Sequence, residues 1–67
     1  MARRWTASEV AELGLHTTVE TAAEILGISR SQGYALAKRG EFPVAVVRIG
    51  RRYVVPVRPL LELLQAA

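Results

Sequence analysis

There is no cysteine among the 67 residues, which removes disulfides and thiolate metal sites together and accords with a reducing compartment. Histidine occurs once, as His16, with no partner at ligand spacing; it is expected in a loop or at a cap, not at a metal or a catalytic centre. Apolar runs are short. None exceeds four residues, as in Val44–Val47, whereas a membrane-spanning helix needs about 20. The opening MARRW leads into the polar TASEVAE, which is not the core of a signal peptide. There is no P-loop and no GxGxxG. Glu9 with Glu12, and Glu20 with Glu24, share helix faces, but nothing sets a general acid and base in a shared cleft. The absences predict a soluble cytoplasmic chain that is not an enzyme, with no cofactor, no metal and no membrane contact.

What is present is apolar and basic. Hydrophobic residues make up 51%, enough to argue against disorder. The length allows one domain, near the lower limit for an unaided core. Charge is divided along the chain. Residues 1–29 carry Arg3 and Arg4 against Glu9, Glu12, Glu20 and Glu24, a net of −2. Residues 30–67 carry Arg30, Lys38, Arg39, Arg48, Arg51, Arg52 and Arg58 against Glu41 and Glu62, a net of +5. Such a division suits a polyanion met from one side.

Start and stop signals divide the chain into elements. Thr6 and Glu9 have capping-box spacing, with Trp5 and Val10 at the staple positions, which predicts a short helix over 6–13 ended by Gly14. Val19, Ala22, Ala23 and Leu26 recur at helical spacing behind Thr18, and Gly27 ends that helix. Only Ile28 separates Gly27 from Ser29, a good N-cap for a second helix over 30–39, stopped by Gly40. Two helices joined so tightly must cross steeply, and Ala22 and Ala23 are small enough to let them approach. That is a helix-turn-helix. Beyond it, the β-branched runs of 44–48 and 52–55 flank Gly50 and predict a hairpin. Pro59, placed as a first helical residue, opens a last helix over 59–65 carrying Leu60, Leu61, Leu63 and Leu64.

Wound at about 100° per residue, the 30–39 helix turns Gly33, Leu36 and Ala37 towards its predecessor and Ser31, Tyr34, Ala35 and Lys38 away from it. Arg30 and Gln32 flank the outer face at the N-terminal end, and Lys38 and Arg39 occupy the last turn. Cations and amides so placed suit a helix entering a major groove, where Gln32 can pair with adenine and Arg30 with guanine, or either can bind phosphate. Arg48, Arg51 and Arg52 put three guanidiniums within five residues at the hairpin tip, suited to a phosphate backbone or a narrow minor groove. Tyr53 is expected to pack beneath the hairpin.

The stretches TVETAAEILGISRSQGYALAKRGEFP and VRIGRRYVVP resemble the excisionase family of small winged helix-turn-helix proteins, grouped with the DNA-binding domains of mercury-resistance-type regulators. The resemblance covers residues 17 to about 64. It implies a mainly α fold with a small β-hairpin wing, here preceded by a short extra helix. Arg30, Ser31, Gln32, Tyr34 and Lys38 would lie on the reading helix and Arg48, Arg51 and Arg52 on the wing. It further implies double-stranded DNA as partner, cooperative self-association on attachment sites, DNA bending, and support of excision by a tyrosine integrase. Gly33 departs from the family, which usually has Val or another apolar residue there. Residues 1–16 have no counterpart, and their helix is expected to cover one side of a thin core. A chain of this length leaves no room for an effector domain, which favours excision over the rival reading as a transcription regulator. A third reading, a protein-interaction module without DNA binding, would use the 60–64 leucine stripe and the Trp5 helix.

Overall fold

The computed structural model describes residues 5–66; Arg3, Arg4 and the rest of the MARRW opening before Trp5 lie outside them. Helix α1 (Ala7–Ala11) starts at the expected capping box: Glu9 N donates to Thr6 Oγ1 (3.1 Å) and Thr6 N to Glu9 Oε1 (3.0 Å). It is shorter than the 6–13 read from sequence, because Glu12 already caps its C-terminus. A two-residue strand β1 (His16–Thr17) follows, where a loop was expected. Helices α2 (Val19–Leu26) and α3 (Arg30–Arg39) hold their sequence-expected limits. Gly27 takes the left-handed conformation (φ +79) that lets its own N–H and that of Ile28 close the end of α2 on the Ala23 and Glu24 carbonyls.

The wing comprises β2 (Val47–Ile49) and β3 (Arg52–Pro56), and helix α4 (Val57–Ala66) follows without a break. Gly50 (φ +61) supplies the positive φ at the first position of the two-residue turn. Antiparallel pairing sets Arg48 opposite Tyr53 and Ile49 opposite Arg52. Two boundaries differ from expectation. Pairing begins at Val47, not Val44; Val44 and Val46 pack half-buried against the core without joining the ladder. α4 begins at Val57, so Pro59 is its third residue, still within the turn whose N–H groups lack helical partners. Val57 N donates instead to Leu15 O (3.0 Å). His16 pairs with Pro56 and Thr17 with Val55, giving a three-stranded sheet ordered β1-β3-β2.

The core is thin. Val10, Val19, Ala22, Val55, Val57 and Leu60 form it, with Ala37 at its edge, and Leu60, Val10, Val19 and Val55 are its largest fully buried side chains. Trp5, Leu61 and Leu64 pack around it half-buried, while Leu63 stays exposed. α1 lies against α4, so the extra helix closes one side of the core, and the apolar stripe proposed for protein interaction is largely used internally. α2 and α3 pack tightly at Gly33. A Cβ built on Gly33 would stand 2.8 Å from Ala23 Cβ and 3.4 Å from Val19 Cγ1. This fold is a winged helix-turn-helix.

Candidate nucleic-acid interface

Residues 30, 34 and 38 are spaced four apart, so Arg30, Tyr34 and Lys38 stand one above another on a single exposed stripe of α3. The stripe has a fixed start. Ser29 Oγ accepts from Gln32 N (3.1 Å), and Gln32 Oε1 reaches back to Ser29 N (3.5 Å), a capping box. Gln32 thus spends its carbonyl oxygen on a long contact to its own helix end, so a bidentate pairing with adenine requires that contact to open.

The wing meets this stripe at Tyr34. A shallow cleft of about 220 Å³ is bordered by Thr18, Glu20, Tyr34, Tyr53, Arg51 and Arg52. α2's first turn, the middle of α3 and the wing tip therefore share one side of the molecule, and Tyr34 is the residue through which the α3 stripe reaches it. The Tyr34 and Tyr53 rings meet edge to face, with centroids 6.4 Å apart, a favourable aromatic geometry. Tyr53 is half-buried against the core beneath the wing, as expected.

Not every sequence-predicted cation is presented alike. Lys38, Arg51 and Arg52 make no ion pair among the described residues. Arg39 is held by Glu41 (Nε to Oε1, 2.9 Å) at the far end of α3. Arg48 folds back: its Nε donates to Gly50 O (2.9 Å) and its guanidinium lies 5.8 Å from the Tyr53 ring centroid, so it braces the wing tip. Ser31 is exposed beside the stripe.

Sequence reasoning missed Glu20. Its Oε1 accepts from the Tyr34 hydroxyl (2.8 Å) and lies 3.6 Å from Arg30 Nη2. The hydrogen bond to Glu20 raises the Tyr34 phenol above its usual 10.0, helped by desolvation and the Glu20 charge and opposed by Arg30. Residues 20 and 34 sit on different helices, so no local spacing announces the contact.

A helix-turn-helix domain family matches residues 18–67. The chain belongs to that family. The match starts at the N-cap of α2 and runs through both helices of the motif, the wing and α4, and it supports DNA as the partner. No curated protein and no solved structure matches the chain. Among the described residues there is no cluster of side chains suited to hold a metal ion, and no helix is long and apolar enough to cross a membrane.

Proposed function

We propose that this chain binds duplex DNA without catalysing a reaction, laying α3 in a major groove and the wing against the adjoining backbone or minor groove. The observation that supports the reading is convergence: Tyr34, the middle residue of the Arg30–Tyr34–Lys38 stripe, borders one cleft with Arg51 and Arg52, which make no ion pair among the described residues. Helix and ribbon are the two shapes that DNA grooves admit, and cations free of internal partners are those available to displace counterions.

Within that reading, the chain acts as an excisionase. Several copies load side by side on attachment-site DNA, bend it, and promote excision by a tyrosine integrase. The support is the resemblance carried by both the helix-turn-helix and the wing sequence. A recombination assay tests it: purified protein added to a cognate integrase and its attachment DNA should raise excision and retain circular product. Sequence-specific binding with no stimulation by any cognate integrase returns the chain to the alternative, a small transcription regulator of the same fold. Absence of duplex binding at low salt rejects both and leaves the interaction module.

A further inference from the structure

Among the described residues, Glu20 is the one acidic side chain lining the cleft between α3 and the wing. The dipole of α2 favours an anion somewhere in its first turn, but that does not explain the bonds this carboxylate makes. The helix end is already capped by Thr18, whose hydroxyl accepts from Thr21 N. Glu20 instead reaches across to α3, where Tyr34 and Arg30, one turn apart, converge on a single carboxylate oxygen. Arg51 and Arg52 border the same space.

Two consequences follow for a polyanion. A phosphate entering the cleft is drawn by the guanidiniums and repelled by Glu20, and an exposed contact of this kind is weak and screened by salt. Arg30 must also leave Glu20 before it can take up an arbitrary phosphate, whereas an Arg30 and a Tyr34 biased by Glu20 towards one arrangement lose less freedom on meeting a matching base edge. We propose that Glu20 is a specificity-determining, positioning residue of the DNA interface: its carboxylate orients Arg30 and Tyr34 and disfavours phosphate in the cleft, so that indiscriminate binding is weakened more than binding to the preferred sequence. The inference rests on the DNA-binding reading above.

The test uses the full chain and two duplexes of equal length: the one that the wild-type protein enriches from a randomised pool, and a scrambled version. Fluorescence anisotropy across a salt series gives the affinities and slopes. Glu20→Gln keeps an oxygen for the Tyr34 hydroxyl and removes the charge. It should bind the scrambled duplex about fivefold tighter at low salt and gain much less on the selected one. Its slope of log affinity against log salt on scrambled DNA should steepen by about 0.9, one more phosphate engaged. Glu20→Asp keeps the charge but shortens the reach to α3; it should retain the wild-type slope and lose preference for the selected duplex. A purely structural role would weaken both duplexes together and leave the slopes alone. Unchanged preference and slope in Glu20→Gln, with an unchanged melting temperature, overturns the assignment while DNA binding stands. Should wild type bind neither duplex, the DNA-binding reading fails and takes this inference with it.

Discussion

Replacing Gly33 by alanine sets two opposed effects against each other. In the interior of an exposed helix the change gains about 1 kcal/mol of helix propensity. Here the new methyl would stand 2.8 Å from Ala23 Cβ and 3.4 Å from Val19 Cγ1. Carbon atoms rest at about 3.5–4.0 Å, so α2 and α3 must part by close to 1 Å. Ala23 has no rotamer with which to yield, and Val19 is itself fully buried. Overpacking of this sort costs about 1–3 kcal/mol, so the steric term wins and a net loss of about 1 kcal/mol is expected. In a domain of this size that lowers the melting temperature by roughly 4–8 °C. Thermal unfolding followed by circular dichroism measures it, and Ala23→Gly supplies the control. Removing the opposing methyl should let Gly33→Ala recover most of its propensity gain, giving a coupling of about 1–2 kcal/mol in the double-mutant cycle. A rise in melting temperature for Gly33→Ala alone, with no coupling to position 23, would refute the claim that close approach of these helices is what the glycine provides.

Further outcomes can be measured directly. Leu60→Ala empties the largest fully buried position and should cost about 3 kcal/mol in urea unfolding, within the usual range for such truncations. Ser29→Ala removes the hydroxyl that receives Gln32 N at 3.1 Å and should cost about 1 kcal/mol of stability. In salt titrations, Arg51→Ala and Arg52→Ala should each weaken binding to all duplexes alike and flatten the slope by about 0.9. Arg39→Ala should change the slope less, since Glu41 already holds that guanidinium, whereas Gln32→Ala should shift sequence preference. The raised Tyr34 phenol fixes a sign for pH dependence. The folded state keeps the proton after the unfolded chain has begun to lose it, so this contribution is complete below about pH 10 and declines as pH rises from there through the folded value. Alkaline unfolding of Tyr34→Phe should lack that component, and a Tyr34→Phe profile identical to wild type would contradict it.

The helices could be read from sequence because their signals are local. Thr6, Thr18 and Ser29 each cap a helix within three residues of the N–H they satisfy, and Gly27 and Gly40 end the helices that precede them. Strand β1 carries no such signal. Two residues have no period, and their partners Val55 and Pro56 lie at the other end of the chain. Val44 and Val46 misled for a related reason: β-branched residues suit any half-buried extended segment, and only the register with β3 fixes where pairing starts. Pro59 located α4 to within one turn but not to the residue, because each of the first-turn N–H groups is dispensable.

Charge behaves in the same way. Residue type places seven cations in the second half of the chain, but availability depends on neighbours brought by the fold. Glu41 takes Arg39, the Gly50 carbonyl and Tyr53 take Arg48, Glu62 lies one turn from Arg58, and Glu20 reaches Arg30 from another helix. These are exposed contacts worth at most about 1 kcal/mol each, too little to withhold an arginine from a closely apposed phosphate. They grade the surface instead of silencing it. In the proposed interface Lys38, Arg51 and Arg52 are free to meet DNA at first encounter, while Arg39 must leave Glu41, and Arg30 must leave Glu20, to take up a phosphate. On the inference drawn for Glu20, such an interface favours a correctly spaced base edge, with two acceptors in the plane of the guanidinium, that Arg30 meets where Glu20 orients it, over a phosphate that must draw it away.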